Sequence, residues 1–499
     1  MVQLYYYKLW STIFWWYSYI YEGQTTDIHN CTFINNRATG SSDGYGGAVS
    51  ILAPNVLIED SYFINNYAKN YGAGIEIRAT GCKIINDTIT GNEAPRGAGI
   101  NIIGDNTLVE NCTIFNNTAT GTGGAGIYIE KNSAIVRNSI IENNIATNGA
   151  GVYIKGSSAI VEGGIISNNN ATTGAGIYIK GAGAKVQNIN ISNNNATNGA
   201  GLYIQGNNAQ VLNANITENT VTNGAGAYIK GNNAVVNGGV ISDNEATNGA
   251  GVYINGYSTD VLNVVVENNS AKQGAGVYIE GQEAIIDHIN ATSNVAEKAG
   301  AVYINGGKAR VTNSRFIDNN ATVDCGAVYI VESDSYFEND YFYKNNAIPD
   351  IKLRDQGCGG AVYINGNGVD VKNTAFSMNT ARNGSAMYMA GNTANVRIYQ
   401  DTIDLLDKNQ AWVYDLPINF NSTTKNITSV LYGGNKILNA FYNSKGNDAV
   451  FLPEGTGWTH PVNGAELSEN GTKYYQNGRE PYQNVNINVW CKQETYLNW

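Results

Sequence analysis

One heptapeptide, NGAGVYI, recurs at a fixed interval along the middle of the chain. It occupies residues 148–154 and 248–254, and it returns with one letter changed at residues 198–204 and 223–229. Alignment on this motif gives about fourteen repeats of about 25 residues between residues 25 and 390. A period of this length is typical of solenoids, in which each short unit buries its apolar face only against its neighbours.

The repeat at residues 149–173 predicts three short strands. Apolar and polar residues alternate over residues 152–154, 159–162 and 164–167, and clusters of Gly, Asn and Ser separate these segments. Alternation with a period of two is typical of half-buried strands, and the separating residues favour turns. The sequence therefore predicts an all-β fold, a parallel β-helix in which each strand pairs with its counterpart one repeat later.

Two further positions test this register. A position two residues past the second strand contains only Asn, Asp, Gly or His, which are the residue types that best tolerate a left-handed backbone. His288 falls there, so we interpret it as a turn residue rather than a catalytic one.

Another position is asparagine in every repeat, and stacked amides at a turn would bond one repeat to the next as a structural ladder. This predicted ladder contains Asn144, Asn169, Asn194, Asn219, Asn244, Asn269, Asn294 and Asn319.

The centre of the first strand is a tyrosine in most repeats, which predicts an exposed aromatic stripe. Stacked aromatic rings would stabilise neighbouring strands by about 0.5–1.5 kcal/mol per pair, and this alone can explain the pattern. The functional alternative is a flat ligand face for sugar rings or a partner protein, since tyrosine combines an apolar ring with a polar tip. The candidate ligand face is Tyr128, Tyr153, Tyr178, Tyr203, Tyr228, Tyr253, Tyr278 and Tyr303.

An insertion at residues 347–358 interrupts the repeats and predicts either a binding loop or a tolerated surface bulge. Its charged residues are Asp350, Lys352, Arg354 and Asp355. Cys325 and Cys358 lie at nearly matching positions of adjacent repeats, a spacing that would suit a disulfide.

Composition excludes several functions. The net charge of −11 argues against nucleic acid as a partner. Three His and no CxxC pair make a metal site improbable, and no cofactor is predicted. Regular repeats show no recurrent acidic pair of the kind that glycoside hydrolysis needs, so no catalytic residue is assigned and a non-enzymatic role is expected.

At two motifs the chain resembles the polymorphic outer-membrane protein repeat family, whose hallmarks are GGA[ILV] and FxxN. The motifs are GGAV at residues 46–49 and 359–362, FINN at 33–36 and 63–66, FIDN at 316–319 and FSMN at 376–379. Middle repeats depart from them, with GAG for GGA and Ile for Phe. The Asn- and Tyr-rich style is similar to that of adhesin-like surface proteins of methanogenic archaea. The resemblance implies a right-handed parallel β-helix at a cell surface, often ahead of Ig-like β-domains.

These observations predict a domain order and a function. Residues 1–24 would be an aromatic cap or an incomplete leader, with a membrane anchor as the alternative; residues 25–395 the β-helix; residues 396–480 C-terminal rungs or a cap; and residues 481–499 the start of a truncated Ig-like domain. We expect a secreted or surface-displayed adhesin-like rod whose partner is a glycan or a surface protein of another cell. Attachment to membrane or wall would use segments missing from this chain. The alternatives are a carbohydrate-active, pectate-lyase-like enzyme and a structural surface-layer component.

Overall fold

The computed structural model describes residues 27–40, 44–332, 334–347, 357–381 and 384–388, and the backbone of a few short strands outside these ranges. The chain divides into two compact units, residues 1–245 and 246–499, which are described separately. In both units, the strands of the repeats pair in parallel with the strand at the same position one repeat later, as Val152–Ile154 does with Ile177–Ile179. The predicted parallel β-helix is therefore confirmed.

In the unit of residues 1–245, each repeat contributes a first strand to one sheet and a second and third strand to another. The first strands are Ser18–Ile20, Val49–Ile51, Ile75–Ile77, Ile100–Ile102, Ile127–Ile129, Val152–Ile154, Ile177–Ile179, Leu202–Ile204 and Ala227–Ile229. The second strands are Ile28–His29, Leu57–Glu59, Lys83–Ile85, Leu108–Glu110, Ile135–Arg137, Ile160–Glu162 and Lys185–Gln187. The third strands are Thr32–Ile34, Tyr62–Ile64, Thr88–Thr90, Thr113–Phe115, Ile140–Glu142, Ile165–Ser167 and Asn190–Ser192. Second and third strands are continuous at Gln210–Thr217 and Val235–Ser242.

The unit of residues 246–499 repeats this arrangement. Its first strands are Val252–Ile254, Val277–Ile279, Val302–Ile304, Val328–Ile330, Val362–Ile364, Met387–Met389 and Phe441–Asn443. Its second strands are Asp260–Leu262, Ile285–Asp287, Arg310–Thr312, Tyr336–Glu338, Asp370–Lys372, Arg397–Tyr399 and Asn488–Trp490. Its third strands are Val265–Glu267, Asn290–Thr292, Arg315–Ile317, Tyr341–Tyr343, Ala375–Ser377 and Leu406–Asp407. Leu467–Glu469 and Thr472–Tyr474 form a separate antiparallel pair.

A fourth short strand, which the sequence did not predict, follows the ladder asparagine in some repeats. In the first unit these strands are Arg37–Ala38, Tyr67–Ala68, Glu93–Arg96 and Thr118–Gly123. In the second unit they are Ser270–Gln273, Val295–Lys298, Asn320–Asp324, Asn346–Ala347, Thr380–Ala381 and Gln410–Ala411. These repeats therefore contain four strands rather than the three that the sequence predicted.

The corners of each repeat are residues with a left-handed backbone. The predicted corner is confirmed, with φ of 48° at Asn138 and 54° at His288. The residue directly before the ladder asparagine is also left-handed, with φ of 54° at both Asn168 and Asn193. This second corner was not predicted from the sequence, although asparagine is common there because its short polar side chain tolerates the conformation.

The core lies between the two sheets and consists of aliphatic and aromatic stacks. Val161 and Ile166 at the centres of second and third strands are 1% exposed, and burying each such side chain contributes roughly 1.5–3 kcal/mol. Phe316 and Phe342 stack within the second unit, with ring centroids 4.7 Å apart. Ala291, the smallest member of this stack, is fully buried.

No helix in the described part of the chain has the length and hydropathy of a membrane span. The predicted cap at residues 1–24 and the segments 396–480 and 481–499 lie outside the described residues, apart from the strand backbones given above.

Candidate functional site

The asparagine ladder joins successive repeats within each unit. Asn194 illustrates the pattern: its Oδ1 accepts hydrogen bonds from the backbone N–H and from Nδ2 of Asn169, both at 3.1 Å. Its own Nδ2 donates to Asn219 Oδ1 at 3.1 Å and to the carbonyls of Ile166 and Ser192. Because these amide groups bond to the backbone and to one another, the ladder is structural. The same side-chain bonds join Asn66, Asn92, Asn117, Asn144, Asn169, Asn194, Asn219 and Asn244, and in the second unit Asn269, Asn294, Asn319, Asn345 and Asn379.

A second polar ladder, which the sequence analysis missed, follows the corner between the second and third strands. Ser61 Oγ accepts a hydrogen bond from the backbone N–H of Cys31 at 3.0 Å and donates to the carbonyl of Glu59 at 2.9 Å. Ser139 and Ser314 make the equivalent bonds. The signal in the sequence was a small polar residue directly after the left-handed position.

Two aspartates take the place of serine in this second ladder. Asp87 Oδ1 accepts from the backbone N–H of Ser61 at 2.7 Å, and Asp340 Oδ1 accepts from that of Ser314 at 2.8 Å. The other oxygen of each carboxyl is buried and has no hydrogen-bond partner among the described residues. Burial raises the pKa of Asp87 to about 7 and the pKa of Asp340 well above its usual range. A protonated carboxyl can donate a hydrogen bond, as the serine hydroxyl does, so both groups fit a structural role.

The tyrosine column is the set of tyrosines at the centres of the first strands. Successive rings stack, with centroids 4.7 Å apart for Tyr153 and Tyr178 and 5.0 Å apart for Tyr278 and Tyr303. The column contains Tyr128, Tyr153, Tyr178, Tyr203 and Tyr228 in the first unit, and Tyr253, Tyr278, Tyr303, Tyr329, Tyr363 and Tyr388 in the second.

The expectation of an exposed aromatic stripe is wrong. Tyr128 and Tyr153 are only 5% and 9% exposed, and Tyr203 is half-buried. The repeat spacing is close to the centroid separation of two stacked rings, so each tyrosine covers the faces of its neighbours. The column therefore offers ring edges and hydroxyl groups to a ligand rather than flat ring faces.

The hydroxyl groups of the column act as hydrogen-bond donors. Tyr178 donates to Gln205 Oε1 and Tyr253 donates to Glu280 Oε2, each at 2.6 Å. Burial raises the pKa of Tyr178 and of Tyr278 to about 12. These hydroxyls therefore keep their protons at neutral pH, and a row of them can pair with the oxygens of a polar, extended ligand.

A buried polar cluster replaces tyrosine in the repeats before Tyr128. Ser50, Glu76 and Asn101 occupy the column position and are fully buried. Asn101 Nδ2 donates to Glu76 Oε2 at 2.7 Å, and Arg78 Nε donates to Glu76 Oε1 at 3.3 Å. Burial raises the pKa of Glu76 to about 7. Ser50 Oγ and Asn101 Oδ1 have no hydrogen-bond partner within the described ranges.

Arginines and tyrosines surround this polar cluster. The guanidinium of Arg78 lies 3.8 Å from the ring centroid of Tyr45. That of Arg96 lies 3.8 Å from the centroid of Tyr71 and 4.4 Å from that of Tyr128. The sequence showed the change from tyrosine to three polar residues, but residue type alone did not reveal that their carboxyl and amide groups would be buried together.

Other predicted site residues divide into those outside the described ranges and those that can be placed. Asp350, Lys352, Arg354 and Asp355 lie outside the described residues. His288, at its predicted corner, contacts Asp287 through Nδ1 at 2.6 Å. Within the described residues, no group of three or more His, Cys, Asp or Glu side chains could hold a metal ion.

The predicted disulfide between Cys325 and Cys358 is not formed. The backbone N–H of Cys325 donates to the carbonyl of Cys358 at 2.9 Å, so the two residues are neighbours on adjacent repeats. Their positions in the repeat nevertheless differ by one residue. Cys325 has a left-handed backbone, and the left-handed residue at the same position of the next repeat is Gly359 rather than Cys358. Cys325 therefore packs against Ala299 and Tyr329, whereas Cys358 packs against Tyr388.

The parallel strand order and the two side-chain ladders define the class of protein as a β-helix solenoid. The family model described as "Right handed beta helix region" matches residues 18–174, 99–271 and 175–336. The chain belongs to this right-handed β-helix family, and the expected right-handed parallel β-helix is confirmed. Searches of the curated proteins and of the solved structures found no match.

Proposed function

We propose that this protein is a non-enzymatic, adhesin-like scaffold at a cell surface, and that the tyrosine column is its binding face for glycans on a partner cell. The observation that carries the proposal is the row of stacked tyrosines, whose hydroxyl groups repeat at the spacing of the strands. Glycans are extended ligands rich in hydroxyl groups, and each sugar can accept and donate hydrogen bonds along such a row.

Two further features support the proposal. The asparagine ladder joins successive repeats within each unit, so a ligand meets a face that needs little ordering on binding, which lowers the entropy cost of association. The GGA[ILV] and FxxN motifs resemble those of surface-displayed repeat proteins, including adhesin-like proteins of methanogenic archaea.

A glycan array probed with the full chain tests the proposal. Tyr203→Ala combined with Tyr228→Ala removes two adjacent rings, 5.0 Å apart, from the column, and should weaken glycan binding. Tyr257→Ala is the matched control, because Tyr257 is 45% exposed and is not a member of the column. Unchanged binding by the double variant would remove the column from the binding face. A wild-type chain that binds no glycan would instead favour a purely structural surface-layer role.

A second candidate function, a carbohydrate-active enzyme, is favoured by one observation. Glu76 is a fully buried carboxyl whose pKa is raised to about 7, and it lies beside Arg78 on the first-strand sheet. A carboxyl with a pKa near neutral pH can serve as a general acid or base. Perturbed carboxyls also occur in structural clusters, and the enclosure of Glu76 by its neighbours favours that role here.

Product release from acidic and neutral polysaccharides, compared between the wild-type chain and Glu76→Gln, tests the enzymatic candidate. Turnover that Glu76→Gln abolishes would establish it. If neither chain releases any product above a no-protein blank, the non-enzymatic proposal is favoured.

A further inference from the structure

Three tyrosines project outward from a single repeat of the second unit, away from the tyrosine column. Tyr336 opens the second strand Tyr336–Glu338, and Tyr341 and Tyr343 flank Phe342 in the third strand. Phe342 is fully buried, so its two neighbours point to the outer face of the sheet. The rings of Tyr341 and Tyr343 are nearly parallel, at 12°, with centroids 5.8 Å apart. We call Tyr336, Tyr341 and Tyr343 the aromatic platform.

Three cations lie beside the platform, two from the preceding repeat and one from its own repeat. Arg310 pairs with Tyr336 and Arg315 pairs with Tyr341 in the strand register. Their guanidinium carbons lie 5.1 Å and 5.2 Å from the centroids of these rings. Lys344 Nζ lies 5.0 Å from the centroid of Tyr343. Each of the three rings is thus accompanied by one cation.

The positive charge of the two arginines is available to a ligand. Arg310 and Arg315 are exposed, and the charge of Arg310 also helps to lower the pKa of the nearby Glu338 carboxyl. Glu338, the acidic residue between them in the sheet, is paired with Lys372 at 3.1 Å. Although the chain as a whole carries a net charge of −11, the two arginines place positive charge beside the rings, where it can attract an anion locally.

The repeat after the platform places only small side chains beside Tyr341 and Tyr343, whereas Tyr336 pairs with Asp370. Tyr341 pairs with Ala375, and Tyr343 pairs with Ser377. These side chains are too small to cover a phenol ring, whereas each tyrosine inside the column lies between two others. Tyr341 and Tyr343 therefore present ring faces where the column presents ring edges.

We propose that the aromatic platform, with Arg310 and Arg315, binds an acidic glycan whose sugars carry carboxylates. The apolar C–H face of a sugar packs on an aromatic ring, and a planar guanidinium binds a carboxylate through two parallel hydrogen bonds. This inference deepens the proposed glycan-binding function, but it assigns a different surface and a narrower ligand class.

The test titrates the full chain with polygalacturonate, with its carboxyl-reduced neutral form and with poly-glutamate, at low and moderate salt. The wild type should bind polygalacturonate at least tenfold more tightly than either comparison polymer, and added salt should weaken that binding. Tyr341→Ala combined with Tyr343→Ala should weaken it about tenfold or more. Arg310→Gln combined with Arg315→Gln should abolish the preference for the acidic over the reduced polymer.

Two variants serve as controls. Tyr62→Ala removes a 46% exposed tyrosine from the position that Tyr341 occupies in its own repeat, and Arg137→Gln removes an arginine already paired with Glu110 at 3.4 Å. Both should bind as the wild type does. Equal affinity for poly-glutamate, no preference for the acidic polymer, or full binding by the tyrosine double variant would each overturn the proposal. The glycan array with the column variants is independent of these outcomes, so either surface can fail alone.

Discussion

Replacement of one ladder asparagine gives the most direct test of the stacking argument. Asn194→Ala removes five side-chain hydrogen bonds, two accepted by Oδ1 from Asn169 and three donated by Nδ2. The backbone N–H of Asn169 then loses its acceptor in a buried place, which costs about 1–3 kcal/mol. The other partners keep a second bond, so their losses are nearer 0.5 kcal/mol each. We expect a total destabilisation of about 3–5 kcal/mol.

Urea unfolding of the full chain, followed by circular dichroism, measures this loss. Because solenoids unfold in segments, hydrogen exchange at the amides of Asn169 and its neighbours should be read alongside it. Asn190→Ala is the matched control: Asn190 is exposed in the same repeat, and its one side-chain bond is to Asn215 at 3.0 Å. The control should lose less than about 0.5 kcal/mol. If both variants lose the same amount, the ladder does not stabilise the fold as argued.

Three other predictions concern backbone strain and buried acids. Gly199→Ala should lower the free energy of unfolding in urea more than Gly183→Ala does. A Cβ at residue 199 would lie 2.5 Å from the carbonyl oxygen of Leu202, whereas a Cβ at residue 183 would have no neighbour closer than 3.7 Å. Both glycines have positive φ, which alone costs an alanine about 1–2 kcal/mol. Equal losses would show that strain alone acts. Burial raises the pKa of Asp340, so its contribution to stability is complete below pH ~4 and is lost as the pH rises. The melting temperature of Asp340→Ser, measured relative to that of the wild type, should therefore be higher at pH 8 than at pH 4. The same difference between variant and wild type at both pH values would contradict this. Glu76→Gln should flatten the pH dependence of melting between pH ~4 and the folded pKa of about 7, and an unaltered slope in that window would count against a protonated Glu76.

Much of the fold could be predicted because residues at the same position of successive repeats lie next to one another in the structure. The register of the ladder from Asn144 to Asn219 and the left-handed corner at His288 both follow from residue type at a fixed spacing. The second corner, at residues such as Asn168, was missed because Asn is frequent throughout the repeat, so one more Asn position carried little information. Cys325 and Cys358 were misjudged for a related reason: an offset of one residue sends a side chain into a different cluster.

Side-chain exposure could not be predicted from the columns, and exposure determines which residues can reach a ligand. A side chain that points out of the sheet is normally expected to contact water. Tyrosines repeated at the strand spacing instead stack on one another and bury their ring faces, as Tyr153 and Tyr178 do. A ligand face with open rings therefore requires a change of residue between neighbouring repeats. Such changes occur where Glu76 replaces tyrosine and where Ala375 follows Tyr341. In a solenoid built from near-identical repeats, ring faces that can pack on a ligand should accordingly be sought at the breaks in the columns, whereas the unbroken tyrosine column offers a ligand its hydroxyl groups.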